Sequence, residues 1–88
     1  MLVSMKRLDF TPHGVCARQI SVVLDDNDVI QDVSFTGGCD GNHKGIVALV
    51  KGQKAQDVIG RLSGITCGFR PTSCPDQLSR ALKQALEQ

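Results

Sequence analysis

The sequence predicts an α+β domain: a three-stranded antiparallel sheet followed by two or three helices packed on one of its faces. Two changes along the chain carry that expectation. As far as Phe35, apolar and polar residues alternate with the period of a half-buried strand, whereas from Ile46 onward the apolar residues recur at helical spacing. The two regimes follow one another without interleaving, and that order favours helices layered on a sheet over a parallel α/β arrangement. Length agrees: 88 residues, 41% of them hydrophobic and with a net charge of +1, suit one small globular domain over residues 1–88.

The elements follow in order. Val3 to Phe10 mixes apolar and basic residues and reads as an edge strand, with Met5 an alternative start to Met1. Thr11-Pro12-His13-Gly14 is a turn. Ile20, Val22 and Leu24 alternate with Gln19, Ser21 and Val23 as a second strand. Asp25 to Asp28 turns the chain; it lacks the glycine and closing glutamate of a calcium loop and reads as a solvated hairpin tip. Val29 to Phe35 alternates again, with Val29, Val33 and Phe35 on one face and Asp32 and Ser34 on the other. Thr36 to Asn42 is a glycine-rich loop. Beyond it, Ile46, Leu49 and Val50 fit a short helix stopping at Gly52, and Ala55, Val58, Ile59 and Leu62 fit another. Leu78, Ala81, Leu82, Ala85 and Leu86 make the best helical pattern. Ser73, Pro75 and Asp76 ahead of it resemble a capping box with aspartate in place of glutamate.

Composition excludes several functions. The near-neutral charge gives no strong attraction to polyanions, and 3% aromatic residues (Phe10, Phe35 and Phe69) argue against a base-stacking platform for nucleic acid. No apolar run approaches the ~20 residues of a membrane span, and the N-terminal stretch has no apolar core of a secretory signal. The expected location is therefore the cytoplasm, where reduced thiols lean towards metal or redox chemistry. No Ser–His–Asp or paired-carboxylate arrangement emerges, so no self-contained active site is expected.

The four cysteines carry the functional expectation. Cys16 follows a turn and precedes a strand, Cys39 sits in the glycine-rich loop, Cys67 lies in the loop before the final helix, and Cys74 at its start. All are at element ends, where loops converge. For any one of them, a buried thiol serving as a small hydrophobe has about even odds; four at loop positions favour a shared site. A helix start also favours thiolate over thiol at Cys74. Four thiolates suit zinc or an iron–sulfur cluster, and composition does not choose between them. The competing expectation is thiol–disulfide exchange between Cys67 and Cys74, with Arg70 nearby.

Asp40, His43 and Arg70 are candidates for groups around the metal ligands. For His13 and His43 an exposed loop histidine is the commoner alternative, and Asp40 has turn formation as its plain role. Arg18, Lys44 and Arg70 offset thiolate charge. Gly41, Asn42 and Lys44 offer a weak anion site at a helix start, without the full pattern of a phosphate loop.

Thr72-Ser73-Cys74-Pro75-Asp76 spells the signature of the TSCPD domain. Gly14-Val15-Cys16, Gly37-Gly38-Cys39-Asp40-Gly41-Asn42 and Thr66-Cys67-Gly68 resemble the other marks of its small, free-standing four-cysteine branch. The resemblance runs from about Phe10 to the C-terminus. TSCPD domains also occur appended to ribonucleotide reductases, notably cobalamin-dependent ones, so the resemblance implies an accessory or regulatory module, with a ribonucleotide reductase as the expected partner. Nucleotide binding is a weaker expectation.

A more distant resemblance is to the iron–sulfur cluster scaffold proteins. It rests on the order of elements, on Val50-Lys51-Gly52-Gln53, and on Cys16, Cys39 and Cys74 at the places of that family's three cysteines. It implies a similar fold and a scaffold or carrier role. Two departures stand out: Cys16-Ala17-Arg18 replaces Cys-Gly-Asp, and Cys67 is additional. Together they turn a labile three-cysteine, one-aspartate site into a closed site of four thiolates, which argues against cluster release.

Overall fold

The structure is a computed structural model and describes residues 5–15, 17–38 and 40–87, with Asp40 given by its backbone alone. Three strands come first, β1 (Lys6–Phe10), β2 (Gln19–Leu24) and β3 (Ile30–Thr36). Three helices follow, α1 (Asp40–Val50), α2 (Ala55–Leu62) and α3 (Cys74–Leu86). The strands pair antiparallel in the order β1-β2-β3. This is the expected α+β arrangement, with the third helix present. Residues 1–4, where the expected first strand begins, lie outside the described residues.

The alternation in β2 works as its sequence requires: Ile20, Val22 and Leu24 are fully buried. On the other face Ser21 Oγ donates to Asp9 Oδ1 across the β1–β2 pair at 2.6 Å. Alternation in β3 is broken. Ile30 and Val33, not Val29 and Val33, reach the core, because the pairing slips between Val23 and Leu24, from Val23–Asp32 to Leu24–Ile30. Gln31 is thus an extra residue, a β-bulge that moves the inward phase by one position. Val29 instead pairs with Lys54.

The turn between β2 and β3 is more than a solvated tip. Asp25 Oδ1 accepts from the N–H groups of Asn27 and Val29, at 2.9 and 3.0 Å. Asp28 adopts a left-handed φ of 61° and meets Lys6 Nζ at 3.0 Å. The α1–α2 connection lies along the start of β3: Gly52 N–H donates to Ile30 O at 2.8 Å, and Ile30 N–H donates to Gln53 O at 2.9 Å. Gly52 has φ 83°, a conformation that suits glycine.

α3 crosses the buried face of β1 and β2, α2 packs on α3, and α1 leans on β3. Leu78, Ala81, Leu82 and Ala85 are fully buried, as the helical spacing requires, and Ala55 and Val58 of α2 join them. In α1 the inward stripe is buried His43 and Val50 with Ile46 and Val47 half-buried; Leu49, expected inside, is 78% exposed. Starting at Asp40, α1 has one more turn than its apolar residues suggest; His43 in that turn shares the 43-47-50 stripe, and Leu49 falls outside it.

Candidate functional site

The site is built on the start of α3. Ser73, in extended conformation, is its N-cap: its Oγ accepts from Asp76 N–H at 3.2 Å and donates to Ile65 O at 2.7 Å. Cys74 and Pro75 are the first two helical residues. The capping box is only half formed, because the Asp76 carboxylate turns elsewhere. Its Oδ1 accepts from Gly64 N–H at 2.7 Å and its Oδ2 from the Thr72 hydroxyl.

Only 4% exposed, Asp76 titrates below the ordinary carboxylate value. The Thr72 hydroxyl contributes most and the Gly64 N–H next; burial opposes them, and Arg80, 3.3 Å away, adds its charge. Gln77 extends the network. Its Nε2 donates to Thr72 Oγ1 at 2.8 Å, and its Oε1 accepts from His13 N–H at 3.2 Å.

These bonds close both ends of the 64–73 loop onto α3. Within the loop, Arg70 N–H donates to Cys67 O at 3.0 Å, and Gly68 takes φ 58° in the turn. Phe69 at the tip is fully exposed. Cys67 is an exposed free thiol, while Cys74 is half-buried. Both line one cavity of about 460 Å³. Gly41, Asn42 and His43, from the first turn of α1, line it too.

The residues that flank Cys16 meet both the entry to α3 and the end of β3. A side chain at Gly14 would come within 3.1 Å of Thr72 Cγ2, and Gly14 and Val15 share a cleft with Arg70 and Pro71. Past Cys16, Ala17 is buried, Arg18 N–H donates to Thr36 O at 2.7 Å, and the Arg18 side chain lies against Gly37. Neighbours of Cys16 therefore touch neighbours of both Cys74 and Cys39. Cys16 and Cys39 themselves, and the side chain of Asp40, lie outside the described residues. Among the described residues no group of three or more His, Cys, Asp or Glu is gathered tightly enough to hold a metal ion.

His43 corrects an expectation. It is 6% exposed inside α1, not an exposed loop residue, and its ring stacks on Phe35 with centroids 4.1 Å apart and planes 14° from parallel. His13 is exposed in its loop. Of the three residues of the weak anion site, Gly41 and Asn42 line the cysteine cavity, whereas Lys44 lines a neighbouring one beside Phe35.

The family model of the TSCPD domain matches residues 3–86. The chain belongs to the TSCPD domain family. The match begins earlier than Phe10, so it includes β1. No curated protein and no solved structure matches the chain.

The geometry gives the TSCPD letters separate roles. Thr72, Ser73 and Asp76 are structural: they cap α3 and tie it to residues 64 and 65. Pro75 falls in the first turn, where a missing N–H costs nothing. Cys74 is the first residue of the helix and is half-buried beside the cavity. Gln77 escapes sequence reasoning because a lone glutamine in a helix looks like surface; its burial follows from the loop folded over it. The buried Ser79 escapes it too; its hydroxyl donates to Asp76 O and accepts from Ser63 Oγ at 3.2 Å.

Proposed function

We propose that this TSCPD domain is a metal-binding accessory or regulatory module in which Cys16, Cys39, Cys67 and Cys74 together hold zinc or an iron–sulfur cluster. One observation carries the reading. Cys67 and Cys74 border a single cavity with the α1 residues that follow Cys39, while the flanks of Cys16 touch Thr72 and Gly37. Segments far apart in sequence thus come into contact, which supports the reading. The donor set suits the group: thiolates are the preferred ligands of zinc and of iron–sulfur clusters.

The chain's own contribution is preorganisation. Asp76 and Ser73 hold the loop bearing Cys67 at a fixed relation to Cys74, so less ordering is required when a metal arrives. The N-terminus of α3 favours the thiolate form of Cys74 that ligation requires. When bound, zinc would supply a structural staple, and a cluster would also supply electron transfer. Asp40, His43 and Arg70 are the proposed surrounding groups. The suggested partner, a ribonucleotide reductase, comes from the TSCPD resemblance, and a pull-down from extract tests it separately.

Purification without oxygen, followed by metal analysis of the native chain and of Cys→Ser variants at each of the four positions, tests the site. Bound metal in the native chain, lost in every variant, is the expected outcome. A metal-free folded protein indifferent to all four changes contradicts it. The second reading, dithiol exchange between Cys67 and Cys74, is favoured by their shared cavity and by the exposure of Cys67. In that case the two thiols cycle with a glutathione redox buffer and no metal is found.

A further inference from the structure

The outer edge of β3 is open towards its C-terminal end. Successive strand residues turn their N–H and C=O groups to opposite sides. Thr36 turns its own towards β2, where its C=O accepts from Arg18 N–H at 2.7 Å. Phe35 and, two residues back, Val33 therefore face outward. At the start of the strand Ile30 faces outward as well, but Gly52 and Gln53 of the α1–α2 connection cover it. Val33 N–H donates to Asp32 Oδ1 at 3.0 Å. The N–H and C=O of Phe35 and the C=O of Val33 have no partner among the described residues. Bulges and charged side chains are the usual guards of an exposed edge; here the bulge at Gln31 and the carboxylate of Asp32 guard only its start.

The open part is one wall of a cleft. α1 supplies the other, so that Val33, Ser34 and Phe35 border a hollow of about 340 Å³ with His43, Lys44, Val47 and Ala48. We propose that this cleft binds an extended peptide segment of a partner protein, which adds an antiparallel strand to the sheet beside β3. The unpaired groups of the edge call for a main chain: one peptide residue exchanges both of its hydrogen bonds with Phe35, and the residue two further on does so with Val33 once Asp32 lets go. Side chains directly opposite Phe35 and Val33 point to the same face as theirs, so apolar groups at those two places lie against Val47 and Ala48. The residue between them, opposite exposed Ser34, faces water. His43 stacks on Phe35, so Lys44 beside it brings its cation to the end of the cleft where the antiparallel peptide begins, and favours an acidic residue there. The inference is independent of what the cysteines hold.

The test is a titration of the isotope-labelled full chain with the peptide acetyl-Glu-Thr-Val-Thr-Val-Thr-amide, followed by NMR and amide hydrogen exchange. Saturable shifts confined to residues 32–36 and 43–48 are expected, with slowed exchange of the Phe35 amide. Methylation of the two valine nitrogens removes the donors to Phe35 and Val33 and should weaken binding about tenfold. Ala48→Trp, which fills the cleft from an exposed position, should weaken it as much. Asp32→Ala frees the Val33 N–H and should tighten binding several-fold, and lysine in place of the glutamate of the peptide should weaken it several-fold. No saturation at millimolar peptide, shifts elsewhere on the chain, or equal binding of the methylated peptide overturns the proposal. So does a peptide-free chain that light scattering shows to be a dimer broken by Ala48→Trp, since the edge would then belong to a second copy.

Discussion

The carboxylate of Asp76 joins the end of α2, the entry to α3 and Thr72 through two hydrogen bonds. Those bonds hold its pKa below the ordinary 3.8. A carboxylate with a depressed folded pKa adds stability that is present above the unfolded value and is lost as pH falls towards the folded one. In the metal-free native chain, stability from denaturant unfolding is therefore expected to decline on acidification from about pH 5 downward. Asp76→Asn should be less stable at neutral pH by about 1–3 kcal/mol, with a flatter acid limb. An unchanged acid limb in the variant would show that another group causes it. Ser73→Ala removes the cap and the bond to Ile65 O, for an expected loss of about 1–2 kcal/mol.

At the scale of elements, the strands and α3 are legible because their apolar residues follow periods of 2 and 3.6 over several repeats. The phase of β3 is not, since a bulge leaves the composition of a strand unchanged while shifting its inward face by one residue. Nor is the inward stripe of α1, because its core contact is a histidine on a phenylalanine, a pairing that hydrophobic periodicity does not count. Of the site, Cys67, Cys74 and the cap are visible in sequence. Gln77 is not, because its burial depends on a loop that reaches it from His13. Gly60 offers an element-scale test. It is an exposed α2 residue without a positive φ, and a Cβ there meets nothing within 4 Å. Gly60→Ala is expected to stabilise the metal-free chain by about 0.5–1 kcal/mol. Gly52→Ala, at φ 83°, is expected to destabilise it. Thermal melting of both variants checks the pair, and equal effects of one sign would contradict the backbone argument.

For the whole molecule, the residues flanking Cys16 meet Thr72 and Gly37, the loop before α3 shares a cavity with the first turns of α1, and the core is small. No helix among the described residues is long and apolar enough to cross a membrane. On the proposed four-cysteine reading, so small a core couples metal binding to folding. Loading should raise the melting temperature, and chelation should return it to the metal-free value. The most direct test of the shared site is a residue-by-residue count of alkylated cysteines by mass spectrometry, on anaerobically loaded protein before and after chelation. The account expects Cys16, Cys39, Cys67 and Cys74 to be protected together and exposed together. Labelling of Cys16 or Cys39 at the same rate with and without metal would contradict it.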